Sequence, residues 1–130
     1  MEENNVVNEK PISLEGASPY DTAKAVADFL DGKKGKDVKI LHVEDKTCVA
    51  DYFVLCTGTS GTHVKSLAGE VEYQMELRGV KPYHIEGRDN NSWIVIDYCN
   101  VLVHIFNRES RDFYNIDKLY KNTTEVSSED

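Results

Sequence analysis

The order of periodic segments predicts an α/β (α+β) domain built on a five-stranded mixed sheet flanked by helices, in the order α-β-β-α-β-β-β-α. Three observations carry this. Two stretches place apolar residues at helical spacing, with capping residues in front of them. One run, Tyr52-Phe-Val-Leu-Cys56, is apolar without interruption, as in a strand covered on both faces. Two later runs alternate or repeat β-branched residues across the tight Cys99-Asn100 connection, which marks a hairpin.

The first helix opens at Ser18-Pro19-Tyr20-Asp21. Ser18 is placed to cap free backbone N–H groups, Pro19 suits the first helical position, and Asp21 complements the positive end of the dipole. Ala23, Val26, Ala27 and Leu30 share one face, and Gly32-Lys-Lys-Gly35 closes the helix. Val38–Val43 reads as a strand, followed by Tyr52–Cys56. Thr57-Gly-Thr-Ser-Gly61 turns the chain into a second helix whose buried stripe is Val64, Leu67, Ala68, Val71 and Met75, ended by Gly79. Strands follow at Tyr83–Glu86, Trp93–Tyr98 and Val101–Phe106, then a short helix over about Asp112–Tyr120. The strand–helix–strand unit beside an antiparallel portion makes the sheet mixed.

With 130 residues the chain has enough material for one core. Its formal charge of −8 is concentrated at the ends. Residues 1–16 set Glu2, Glu3, Glu9 and Glu15 against Lys10, and residues 121–130 set Glu125, Glu129 and Asp130 against Lys121. Between them, 17–120 hold 16 acids against 13 bases. Both ends are polar and free of aromatic residues, so they read as flexible acidic tails around a domain spanning 17–120. A mildly acidic domain without a basic stripe does not favour direct nucleic-acid binding and is suited to a basic protein partner. Cys48, Cys56 and Cys99 form an odd set without CxxC spacing, which fits a reducing cytosol and neither a disulfide framework nor a zinc site. The start, Met1-Glu-Glu-Asn-Asn, has no signal-peptide pattern, and no apolar stretch reaches membrane-spanning length. The expectation is a cytoplasmic protein without membrane attachment.

Chemistry is sparse. Gly58, Thr59, Ser60 and His63 lie where a strand turns into a helix N-terminus, a natural anion site. The segment lacks the spacing of a phosphate-binding loop and the paired acids that would hold Mg²⁺ for nucleotidyl transfer. The structural alternative, Gly58 for the turn and Thr59 or Ser60 as the cap, is the better-supported one. Ser60, His63 and Asp51 can be assembled into a catalytic triad on paper, but no nucleophile elbow accompanies them. The histidines at 42, 63, 84 and 104 are scattered over separate elements, so no metal or cofactor is expected.

On the strand from Trp93 to Tyr98, Trp93, Val95 and Asp97 share one face. Arg108, Glu109, Arg111, Asp112, Phe113 and Tyr114 gather charge and aromatic surface just beyond the hairpin. Tryptophan, tyrosine and arginine are enriched in interface hot spots. Two readings stand side by side here: a binding surface, or a core tryptophan beside a solvated charged face.

A series of motifs runs in order along one domain: Lys36-Asp-Val38, Ala50-Asp-Tyr-Phe53, Thr57-Gly-Thr-Ser60 with His63-Val64, and Gly79. It continues through Glu86-Gly87, Trp93-Ile-Val95, Asp97-Tyr98, Val101-Leu-Val-His-Ile-Phe106, Arg108-Glu109, Arg111, Phe113-Tyr114 and Leu119-Tyr120. On these residues the chain resembles the iojap-like ribosomal silencing factors over about residues 18–120. Tyr120 stands where the family usually carries tryptophan. The resemblance implies a fold similar to nucleotidyl transferases but no catalysis. It further implies binding to large-subunit ribosomal protein fourteen, steric blocking of subunit association with repression of translation, and a homodimer when free. Trp93, Asp97 and Tyr114 match the family's partner-contact positions. Glu86, His104, Glu109 and Arg111 are added as contacts from the surface argument. The rival reading is a nucleotide-binding or nucleotidyl-transfer enzyme using the Thr57–Ser60 turn.

Overall fold

The computed structural model describes residues 11–89, 91–120 and 124–126. Ser18 adopts extended backbone and its hydroxyl accepts the Asp21 N–H at 3.0 Å, so helix α1 (Pro19–Gly32) starts where the capping pattern places it. Strand β1 (Lys36–His42) and strand β2 (Tyr52–Gly58) follow, then helix α2 (Gly61–Leu77). Gly58 closes β2 because a side chain there would run into Val64, its Cβ lying 2.9 Å from the Val64 backbone nitrogen. Gly79, at φ +86°, carries the chain out of α2. Strands β3 (His84–Glu86), β4 (Trp93–Asp97) and β5 (Val101–Asn107) complete the expected set.

The five expected strands form a mixed sheet, extended by a sixth strand β6 (Thr124–Val126), in spatial order β3-β4-β5-β2-β1-β6. Only β2 and β5 run parallel, with Val54 opposite Val103; every other neighbouring pair is antiparallel. Strand β6 pairs Val126 with Ile40, a non-local contact to which its polar composition gives no clue. Of the two ends expected as tails, residues 1–10, 121–123 and 127–130 lie outside the described residues. Within the described part, Leu14 packs against the core and its N–H donates to the Arg78 carbonyl at 2.9 Å.

Helices α1 and α2 cover one face of the sheet. Ala23, Val26, Ala27 and Leu30 meet Val64, Leu67, Val71 and Met75 above Ile40, Val54, Cys56, Ile94, Ile96, Val103 and Ile105. The strand residues between these positions point to the opposite face, where Leu41, Val43, Phe53, Leu55 and Phe106 make a smaller cluster. Strand β2 feeds both clusters, which accounts for its unbroken apolar run.

The expected C-terminal helix over Asp112–Tyr120 is replaced by two short ones, α3 (Arg108–Tyr114) and α4 (Ile116–Leu119). Asn115 breaks them apart: it adopts left-handed backbone, φ 52° and ψ 51°, and its side chain caps the Lys118 N–H. This bend lets α3 and α4 fold over the β2 side of the second face, with Ile116 and Tyr120 packed there. Arg111 pins them down. It is 5% exposed, forks to both Asp117 carboxylate oxygens at 2.8 and 2.9 Å, and donates to the Thr57 hydroxyl at 2.8 Å. Arg108 adds a second tie, bonding Asp37 at the start of β1. Removing one partner from such a buried pair leaves the other unsatisfied. We expect Arg111→Ala to lower stability by about 3 kcal/mol in urea denaturation, the low end of the usual range because Asp117 keeps some solvent contact.

Candidate functional site

The second face of the sheet is only half covered. Cross-strand register places Trp93, Val95 and Asp97 of β4 opposite Phe106, His104 and Leu102 of β5. On the far side, Glu86 lies opposite Val95 and His84 opposite Asp97. Helices α3 and α4 cover the β2 end of this face. The β3–β4–β5 end has no covering element among the described residues, so Trp93, Val95, Asp97 and Leu102 are half-buried, and His84 and Glu86 are exposed.

Trp93 sits at the margin of the covered half. Its ring lies 4.4 Å from Tyr114 on α3 and 5.1 Å from Phe106, centroid to centroid. Phe113, 78% exposed, meets Tyr114 edge-on and continues the aromatic surface into solvent. Asp97 accepts the Cys99 N–H at 2.7 Å and so fixes the β4–β5 turn, where Cys99 takes a left-handed φ of 73°. Glu86 pairs with His84 at 3.0 Å. Glu109 is exposed on the first turn of α3. Together these residues give an aromatic anchor with apolar surface beside it and carboxylates around it, an arrangement for holding a partner rather than for bond-making.

Two of the expected contacts lie beneath this surface instead of on it. Arg111 is the buried clamp described above. It draws the Asp117 carboxyl below the usual carboxylate range, chiefly through the forked hydrogen bond. His104 is 6% exposed, below Trp93. Sequence spacing does not tell surface from underlayer, since the depth of both depends on which other elements pack over them. Val95, Leu102 and Phe113 add apolar surface to the same region. The alternation that identified Trp93 and Asp97 also carries Val95.

The Thr57–Ser60 turn has its polar groups engaged. The Ser60 hydroxyl accepts the His63 N–H at 3.1 Å, and the Thr59 N–H donates to His63 Nδ1 at 2.9 Å. With Nδ1 accepting, Nε2 carries the proton and donates to the Lys33 carbonyl at 3.0 Å, tying α2 to the end of α1. The arrangement favours the turn-and-cap reading of Gly58, Thr59, Ser60 and His63. The paper triad fails on distance: Asp51 precedes β2 and Ser60 follows it, so they are separated by roughly 20 Å of extended strand. Cys56 is buried, and that burial pushes its thiol up to about 12, which keeps it in the unreactive protonated form. Among the described residues no cluster of His, Cys, Asp or Glu could hold a metal ion, and no helix is long and apolar enough to cross a membrane.

Burial, reinforced by the positive charge of Arg111, pulls the His104 imidazole down from 6.5 to about 4. Between those values the unfolded chain takes up a proton that the folded chain refuses. The stability associated with neutral His104 is therefore complete above pH 6.5 and is lost as the pH falls toward 4. From about pH 7 to about pH 4.5, wild type should lose on the order of 2 kcal/mol more than His104→Phe in paired urea denaturations.

Comparison with known proteins matches this architecture. A family profile described as "Ribosomal silencing factor during starvation" covers residues 16–130. The chain is 35% identical over 97 residues to the ribosomal silencing factor RsfS of Bacillus subtilis, which spans 75% of this chain and 82% of that protein. To the Haemophilus influenzae protein of the same name it is 34% identical over 91 residues, 70% of this chain and 89% of the relative. A crystal structure of a Chromobacterium violaceum protein superposes with a TM-score of 0.77 at 28% identity, covering 85% of this chain and 91% of that one. Fold, length and sequence agree: the chain belongs to the ribosomal silencing factor family.

Proposed function

We propose that the chain binds the large ribosomal subunit through large-subunit ribosomal protein fourteen and so keeps the small subunit from docking, which represses translation. It acts as a cytoplasmic binding factor that needs no cofactor and catalyses no reaction. When free it pairs with a second copy of itself. Its domain, 17–120, meets the partner with the uncovered end of the sheet.

The observation that supports this reading is the uncovered β3–β4–β5 face, where Trp93 packs against Phe106 and Tyr114 and the Asp97 and Glu86 carboxylates lie on the same side of the sheet. Ribosomal proteins are commonly basic, and an acid-rimmed apolar patch complements them in both encounter rate and register. A standard interface of roughly 1,600 Å² is enough to exclude another body by volume overlap. Tyr114 and Glu109 contribute from α3; Arg111 and His104 contribute by supporting the face from below.

The test is co-sedimentation with purified large subunits, followed by a gradient assay of subunit joining. Trp93→Ala should weaken binding by about thirtyfold, the loss of a hot spot of ~2 kcal/mol. Asp97→Asn keeps an oxygen for the Cys99 N–H while removing the charge, so a weakening of about fivefold reports the charge alone; Asp97→Lys should weaken binding further. Normal binding by both Trp93→Ala and Asp97→Lys removes the proposed surface. Undiminished subunit joining at saturating protein removes the proposed function.

A further inference from the structure

His104 combines features that packing alone does not explain. It occupies β5 at a position covered by Trp93 and flanked by Phe53 and Phe106, with ring centroids 4.9 and 6.0 Å away. An apolar side chain would fill that space at no polar cost. Instead its Nδ1 accepts the indole N–H of Trp93 at 3.2 Å. That bond fixes the tautomer with the proton on Nε2, and Nε2 is buried with no hydrogen-bond partner among the described residues. A buried donor without a partner loses its hydration with nothing in return. A polar group kept at such a cost calls for a functional reason.

The register supplies one. Trp93 is opposite Phe106, which makes His104 its diagonal neighbour on the adjacent strand, within reach of a large aromatic side chain. Phe106 and Tyr114 contact the indole through their rings, which restrain its position but offer no directional bond to its N–H. Among the described residues, His104 supplies the hydrogen bond that sets which way the N–H edge points.

We propose that His104 is a positioning residue: by accepting the indole N–H it locks Trp93 into the orientation in which its outer edge meets the partner, so that the free protein already presents its anchor preformed. The inference rests on the partner-face reading above. Preformed side chains avoid the entropy of ordering at binding, which is a direct contribution to affinity. The mechanism requires an acceptor at the Nδ1 position and nothing at Nε2.

Trp93 is the only tryptophan in the chain, so its signals report this site without interference. The experiment compares wild type with His104→Leu, which removes the acceptor, and His104→Asn, whose side-chain oxygen can stand where Nδ1 stands. Two things are measured on each folded protein: the single indole N–H resonance with its solvent exchange, and affinity for purified large subunits. In wild type and His104→Asn the indole N–H should be shifted by hydrogen bonding and slow to exchange. In His104→Leu it should lose both properties, and affinity should fall about fivefold to tenfold, as expected for one lost hydrogen bond plus freed rotation. Affinity in His104→Asn should stay within about twofold of wild type, although the polar substitution does nothing to improve packing.

Equal affinity in His104→Leu and wild type, with Trp93→Ala still weak, overturns the positioning role and leaves the partner face intact. An unaltered indole resonance in His104→Leu overturns it independently of any ribosome. Loss of affinity in His104→Asn equal to that in His104→Leu, with its indole N–H still bonded, also overturns it, because a packing defect then accounts for both. Normal binding by Trp93→Ala overturns the partner face itself, and the positioning role with it.

Discussion

The burial of one guanidinium organises this protein. Arg111 reaches from α3 to the Thr57 hydroxyl on β2 and to the Asp117 carboxylate on α4, with 5% of its surface left in water. A cation so placed must be matched on every side, because an uncompensated buried charge is among the most destabilising features a fold can carry. Here its partners come from the parallel strand pair and from the chain beyond the last hairpin. The C-terminal segment is thereby held down over one half of the sheet and kept off the other.

The asymmetry that results leaves the two faces of the sheet unlike. On the first face, α1 and α2 bury a continuous apolar cluster and supply most of the hydrophobic stabilisation. On the second, α3 and α4 finish the core only as far as Phe106 and Trp93. What remains is a strip of sheet with an aromatic anchor at its margin, in which β4 is held between β3 and β5. In the proposed role, a surface made of strand residues loses little entropy when occupied.

The strand–turn–helix at Gly58 shows how a shape associated with phosphate chemistry can serve a different end. In this chain the turn is filled by its own side chains: Ser60 caps the helix, and His63 spends both ring nitrogens on Thr59 and Lys33. The backbone geometry resembles that of an anion site, while the Ser60 and His63 side chains are engaged in capping α2 and fastening it to α1. The geometry of a motif and its availability are separate properties, and only the second bears on ligand binding.

The parts of this protein that depend on neighbours along the chain were legible in the order of its residues. Ser18-Pro19 starts α1, the periodic stripe from Val64 to Met75 buries α2, and the unbroken run at Tyr52–Cys56 makes a strand apolar on both sides. The alternation Trp93, Val95, Asp97 likewise marked one face of β4, and the motifs around it carried the family resemblance. The parts that depend on distant partners emerge only in the folded chain. Arg111 is buried by a chain segment that folds back across the sheet after the left-handed residue Asn115, and His104 by Trp93, Phe53 and Phe106 arriving from three strands. Strand β6 exists through pairing with β1, more than 80 positions earlier in the chain. Local periodicity records which side of an element is apolar; it holds no record of which other element arrives to cover that side, and so the depth of a polar residue is settled only when the chain is folded.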